Sequence, residues 1–526
     1  MFKPAGERPS PPLSRSGRGL HATLGLSLVL LLAACAPASL KQDIVQAPPS
    51  YAEAPASEGV LADIATQIAT EHGPEYSGFR ILDSSYDGLY YRLLLMDSAV
   101  SSLDIQTYLW YPDASGKLLL ERAVLAAQRG VKVRLIVDDL ILHGHDQLIA
   151  NLQAQPNIEF RMFNPWKERG SMAGRAGEMI AEMERLNTRM HDKLMIVDGH
   201  AAVVGGRNIG DHYFGLSEVY NFNDTDLLGI GAVAGQANEA FDGFWNSKWV
   251  VSADYLTVKP DKALARQQWE SIQSYTATAP ALAQFPRLPG DWSTELQEYA
   301  GTLHIGRSKM VYDEAEAEQI DQRMLSSMFN FFNIAQRELL IMNAYIIPAQ
   351  NGIDALRALT GRGVEVSILT NSLSSHDVPA VNSHYEPWRD DFIKAGVNLY
   401  EMRSDPAIKA TVIDVPPIDA GFSGLHSKCA VADGRYVFVG SMNLDPRSAT
   451  INTEMGLFVD SPGLAGDMAS IIRRDMSGAN AWHVQLDGDG KLFWQDDKET
   501  LTRQPARNGM QRVMNVLMKL GPKDQY

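Results

Sequence analysis

The chain has 526 residues, with 47 basic against 63 acidic side chains, a net charge of −16 and 45% hydrophobic residues. That composition is globular, and the length allows a large core in two domains or in two halves of one. The acidic balance speaks against nucleic acid as the main partner, because such binders carry a basic footprint.

The N-terminus is a separate element. Lys3, Arg8, Arg15 and Arg18 precede an apolar run, LHATLGLSLVLLLAA at residues 20–34, and Cys35 follows at once. The run is too short to span a bilayer comfortably and has the three-part form of a secretory signal. Leu32-Ala33-Ala34-Cys35 resembles a bacterial lipobox, which implies lipidation of Cys35 and a protein anchored in the cell envelope, facing the periplasm. Residues 1–34 are then the signal and residues 35–75, with Pro37, Pro48, Pro49 and Pro55, a tether. The remaining cysteine, Cys429, offers no metal-ligand spacing and sits in an apolar strand as a small buried residue.

The first folded half, residues 76–300, opens with strand LDIQTYLW from Leu103. The helical pattern GKLLLERAVLAAQRG follows, and then strand VKVRLIVDDL. Residues 164–190 bring Arg169, Arg175, Arg185 and Arg189 toward the next motif, with Met172, Met179, Ile180 and Met183 as an apolar lip. That motif is MHDKLMIVDGHAAVVGGRN, residues 190–208. Side chains alternate along a strand, so His191 and Lys193 share a face, and Asp198-Gly199 reads as the turn of a hairpin that delivers Gly206 and Asn208.

The second half, residues 301–480, repeats the first. LHSKCAVADGRYVFVGSMN at residues 425–443 returns His191, Lys193, Asp198 and Asn208 as His426, Lys428, Asp433 and Asn443, all displaced by 235 residues, with Ser441 in the place of Gly206. RGVKVRLIVDDL returns as RGVEVSILTNSL at a displacement of 233. Downstream acids Asp226 and Glu454 occupy matching places and are expected behind the imidazoles. Residues 481–526 form a hairpin and an amphipathic helix, with Met510, Val513, Met514 and Leu517 on one face and Arg512 and Lys519 near it.

HDKLMIVD and HSKCAVAD, followed by GGRN and GSMN, resemble the paired HxKxxxxD motifs of the phospholipase D superfamily. GGRNIGDHYFG, SLDIQTYLWYPDASGKLL and GSMNLDPRSATINTEMGL are similar to its bacterial cardiolipin synthase branch. The resemblance implies an α/β fold of two homologous halves with mixed, mostly parallel sheets, related by a pseudo-twofold around one shared site. It also implies a phosphatidyltransferase that moves a phosphatidyl group to phosphatidylglycerol. His191 is the implied nucleophile and His426 the general acid, since a pKa near ~6.5 supplies both protonation states. Lys193, Lys428, Asn208, Asn443 and Ser441 would hold the phosphate oxygens, and Asp198 and Asp433 the hairpin turns. The chemistry calls for no metal and no cofactor. Expected partners are phospholipids, namely phosphatidylglycerol and as a second donor phosphatidylethanolamine, together with the membrane surface; no pattern names a protein partner. Hydrolysis to phosphatidic acid, a nuclease and a non-catalytic lipid-binding lipoprotein are the competing readings.

Overall fold

The computed structural model describes residues 48–315 and 320–519. The leader and Cys35 lie outside them.

Alternating β-branched residues make the run from Val131 a strand buried on both faces. Val133, Leu135 and Val137 enter one core and Ile136 another. Strands Ser102–Thr107, Lys132–Asp138 and Ile158–Phe163 pair in parallel, the first two joined by helix Ala114–Gln128. Asp113 caps that helix, and Gly130 leaves it at φ 101°. On the other side the motif strand Leu194–Val197 runs antiparallel to Ser102–Thr107, followed by Ala201–Gly205, Asp226–Gly231 and Tyr76–Leu82, all antiparallel.

The second half repeats this order. Glu338–Asn343, Glu365–Asn371 and Asn398–Met402 form its parallel centre. Lys428–Ala432, Tyr436–Gly440, Met455–Asp460 and His304–Tyr312 extend it antiparallel. Within the large sheet the three-strand centres are parallel and the later described strands join antiparallel, while a separate two-stranded sheet pairs Asn221–Asn223 parallel with Ser423–Leu425 across the halves. The halves do not form separate sheets either: Tyr76–Phe79 pairs antiparallel with 304–307, giving one 18-stranded sheet.

Each half covers one sheet face with its own helices. The inner faces share a core with helices Ala232–Trp245 and Pro462–Asp475, where Phe241, Trp245, Met468 and Ile472 meet Ile196 and Val431. Cys429 is buried in this core.

The tether expected up to residue 75 ends earlier. Ser50 and Ala52 donate backbone N–H groups to Asn246 and Asp242, and helix Val60–His72 buries Leu61, Ile64 and Ile68. A helix that buries an apolar face belongs to the fold.

Candidate active site

The two hairpins are built alike. Asp198-Gly199 and Asp433-Gly434 all take φ between 55° and 68°, the backbone of a tight Asp-Gly turn. Each aspartate then reaches back to the preceding parallel strand. Asp198 accepts the N–H groups of Val100, Ser101 and Ser102 at 2.7–3.1 Å, and Asp433 those of Gln336, Arg337 and Glu338 at 2.8–3.2 Å. Both carboxylates hold turns and touch neither imidazole nor lysine.

At the other end of the hairpins the two halves interlock. His191 N–H donates to Thr453 O at 3.0 Å and His426 N–H to Asn223 O at 2.8 Å. Each motif is thus docked on the segment of the opposite half that carries an acid. His191 Nδ1 lies 3.0 Å from both oxygens of Glu454, and His426 Nδ1 lies 2.6 Å from Asp224 Oδ2. With Nδ1–H donated to a carboxylate, Nε2 of each ring is left for chemistry. Ser441 Oγ–H donates to Glu454 Oε2 at 2.5 Å.

The acid beside His426 is therefore Asp224, where Asp226 was expected. Gly205 pairs with Asp226 but Gly440 with Gly456, so the displacement between halves falls from 235 to 230 across the loop. At 230 the counterpart of Glu454 is Asp224. Asp226 instead bridges Arg92 at 2.9 Å and Arg207 at 3.2 Å, both buried. Gly206 makes room for the true partner: a Cβ there would lie 2.2 Å from Asp224 Oδ1.

The charges are packed closely enough to move the pKa of both motif histidines, both lysines and both partner acids. Burial, then Lys193 and Lys428, push His191 well below its usual range. Burial and Lys428 also lower His426, but Asp224 opposes them. Burial would raise Asp224, yet His426 above all, with Lys428 and Arg207, holds it at about 2. Burial pushes Glu454 well up despite Lys193. Lys193, buried and facing Lys428, comes down to about 7, while burial also lowers Lys428. Each lysine donates Nζ–H to the carbonyl of its own motif histidine.

Asn208 Oδ1 accepts Leu109 N–H at 3.2 Å, whereas Asn443 Oδ1 is buried without a hydrogen-bond partner. Tyr108 packs edge-on to His191, and Tyr213 and Phe222 enclose His426 at 5.2 and 4.9 Å. Tyr345, whose hydroxyl donates to Asp377 at 2.8 Å, stacks on His376 and stands 6.4 Å from His426. No motif announced this Tyr345–Asp377 pair or Asp224.

Most of the cationic character expected of residues 164–190 is cancelled by ion pairs, while Arg175 donates to the Arg169 carbonyl at 3.0 Å. Arg169 binds Asp139 and Asp146, Arg189 binds Asp138, and Arg185 binds Glu178 and Glu182. Met172, Ile180 and Met183 of that segment are exposed.

Duplicated halves that exchange acids around two His-x-Lys motifs define an enzyme of the phospholipase D type. The family described as cardiolipin synthase, PLD-like domain, matches residues 93–245 and 328–476, and the chain belongs to it. It is a phospholipase D-type phosphatidyltransferase acting on phospholipid. Cardiolipin synthase C of Escherichia coli (strain K12) is 33% identical over 488 residues, 88% of this chain and 98% of that protein. Cardiolipin synthase 2 of Staphylococcus epidermidis is 26% identical over 385 residues, 73% of this chain and 64% of that protein. The crystal structure of phosphatidylserine synthase from Haemophilus influenzae Rd KW20 shares the fold, with a TM-score of 0.52 at 15% identity over 78% of this chain and 90% of that one.

Proposed function

We propose that the protein makes cardiolipin by moving a phosphatidyl group from a donor phospholipid to phosphatidylglycerol. The observation that carries the chemistry is the crossed pair of imidazole–carboxylate contacts flanked by Lys193 and Lys428. His191, kept neutral by burial and by both lysines, attacks phosphorus through Nε2. The P–N bond forms as the P–O bond to the leaving headgroup alkoxide breaks, and His426 gives that oxygen its proton. Asp224 retains its negative charge and stabilises the imidazolium of His426. The lysines, with the Asn208 and Asn443 amides, hold the non-bridging oxygens. An anionic phosphodiester between the lysines offsets the field that lowers His426, so substrate itself favours the protonated acid. The acceptor hydroxyl then returns its proton to His426 and attacks phosphorus, breaking P–N and freeing His191.

Two apolar clefts support a lipid acceptor over water. Trp110 bridges to Ile209 and Ile346 to Leu444, the residues after Asn208 and Asn443. Trp110 lines a cleft of about 400 Å³ with Leu120 and Leu135, and Ile346 and Leu444 line another of about 300 Å³ with Leu356 and Ile368. We infer in addition that Cys35 carries the lipid anchor in the cell envelope with the domain facing the periplasm; an unacylated Cys35 peptide in the mass spectrum of the mature protein is the result that rejects this.

The test is incubation of the protein with phosphatidylglycerol vesicles, with and without phosphatidylethanolamine, beside His191→Ala and His426→Ala. Cardiolipin from the wild type and none from either variant is expected. Phosphatidic acid without cardiolipin makes water the acceptor and rejects the proposal.

A further inference from the structure

The C-terminal helix Gly509–Met518 is mounted inside out. Its buried side chains are polar: Gln511 donates to Leu373 O, while Asn515 accepts from Asn382 at 2.7 Å and donates to Glu386 at 2.8 Å. Most of its apolar side chains point the other way, with Met510 69%, Val513 54%, Val516 61% and Leu517 55% exposed, while Met514 and Met518 are half-buried. An amphipathic helix on a globular protein normally does the reverse.

Charge gives the outward face its partner. In a chain of net charge −16, the 20 residues from Thr500 to Lys519 contain Arg503, Arg507, Arg512 and Lys519 and no acid. Lys519 meets Glu386, and Arg507 donates to the carbonyls of Ser374 and His376. Arg512 is exposed on the helix itself, one turn from Val516, and Arg503 is exposed in the segment before it. An exposed apolar stripe with cations at its flank matches the interface of an anionic bilayer, where chains take the stripe and headgroups the cations.

The mounting also places the helix beside the chemistry. Its anchors, Leu373, Ser374 and His376, belong to the loop that carries Asp377, the partner of Tyr345 next to His426.

We propose that this face docks on an anionic lipid bilayer and holds the site at the surface from which its substrates come. The inference rests on the phospholipid reading above and adds the surface that meets the membrane.

The experiment uses the full chain with Cys35→Ala, leaving Cys429 buried, and a solvatochromic label on Val513→Cys or, as control, on Lys491→Cys in an exposed turn. With phosphatidylglycerol vesicles the label at 513 is expected to shift to the blue and to be quenched by lipids brominated in their chains. Phosphatidylcholine vesicles should give less, and the label at 491 neither. A label at 513 that stays aqueous overturns the proposal, and so does a blue shift that grows with protein concentration without lipid, which assigns the face to a second copy. Turnover supplies an independent reading. Val513→Asp with Leu517→Asp should lose at least about tenfold on vesicles and keep the wild-type rate on a soluble short-chain phospholipid; equal loss on both also overturns it. Label insertion without any cardiolipin from the wild type separates a failure of the catalytic reading from a failure of this one.

Discussion

Replacing Asp224 by asparagine keeps size and burial while removing the carboxylate that accepts Nδ1–H of His426. The magnitude follows from the surroundings. Burial would raise the Asp224 carboxyl above its ordinary 3.8, but His426, Lys428 and Arg207 hold it at about 2. At ~1.4 kcal/mol per pH unit that is about 2–3 kcal/mol of net preference for the charged partner. An imidazolium that loses this stabilisation, and whose neighbour can now present an amide hydrogen to Nδ1 and fix the wrong tautomer, should slow turnover about 10²- to 10⁴-fold. Asp226→Asn is the informative comparison, two residues away and equally buried. It leaves Arg92 and Arg207 short of their carboxylate and should cost about 3–5 kcal/mol of stability, with the rate of the folded protein within about threefold of wild type. Initial rates of cardiolipin formation, at a temperature where circular dichroism shows both variants folded, separate the two. A wild-type rate in Asp224→Asn together with a folded but inactive Asp226→Asn would refute the assignment of the acid.

Gly206→Ala drives a methyl into the Asp224 carboxylate and should lower turnover at least about tenfold, because the loss passes through His426 geometry; the same assay at unchanged circular dichroism checks it. Asp198→Ala orphans three backbone N–H groups under a buried carboxylate and should cost about 2–4 kcal/mol in urea unfolding. Asp433→Ala, at a half-buried site, should cost less, and an equal or reversed order counts against the turn-holding account. Lys193 is protonated below about 7 and neutral above it, so kcat/KM should fall as pH rises through that value. Lys193→Arg, whose cation does not titrate, should flatten this alkaline limb whatever its absolute rate; an unaltered limb assigns the ionisation elsewhere.

The centre of the site was legible in the sequence because phosphoryl chemistry constrains residue type and spacing together. His191 and Lys193 must leave one face of one extended segment, and their duplication as His426 and Lys428 carries the constraint twice. Asp224 escaped because it lies beyond a loop whose length is free to vary; once the loop differs by five residues, the constant displacement of 235 carries Glu454 to Val219, and nothing in the spacing separates Asp224 from Asp226. The arginines of residues 164–190 were misread for a related reason. Asp139 lies 30 residues upstream of Arg169 and Asp138 lies 51 upstream of Arg189, both at the end of one strand, and proximity across a sheet end has no period in the sequence. In the C-terminal helix the stripe was visible but its direction was not, because direction was decided by Asn382, Glu386 and the Leu373 carbonyl, more than a hundred residues away.

Exchange of acids across the pseudo-twofold bears on how two equivalent histidines come to do different work. Perfect symmetry would give both rings the same basicity, and the first proton transfer would have no preferred direction. The two halves break it at matched positions. Where the first half has Gly206 and the short Asp224, the second has Ser441 and the longer Glu454, with the serine hydroxyl spent on the glutamate. Asp224 is held in its charged form and favours the imidazolium of His426; Glu454 is pushed toward neutrality by burial and gives His191 less support. His191 is thereby the ring more readily neutral and free to act as nucleophile, and His426 the ring more readily protonated to serve as general acid. Since each acid belongs to the half opposite its histidine, neither half can set this asymmetry alone, and the division of labour depends on the antiparallel seam between Tyr76–Phe79 and residues 304–307 as much as on the motifs themselves.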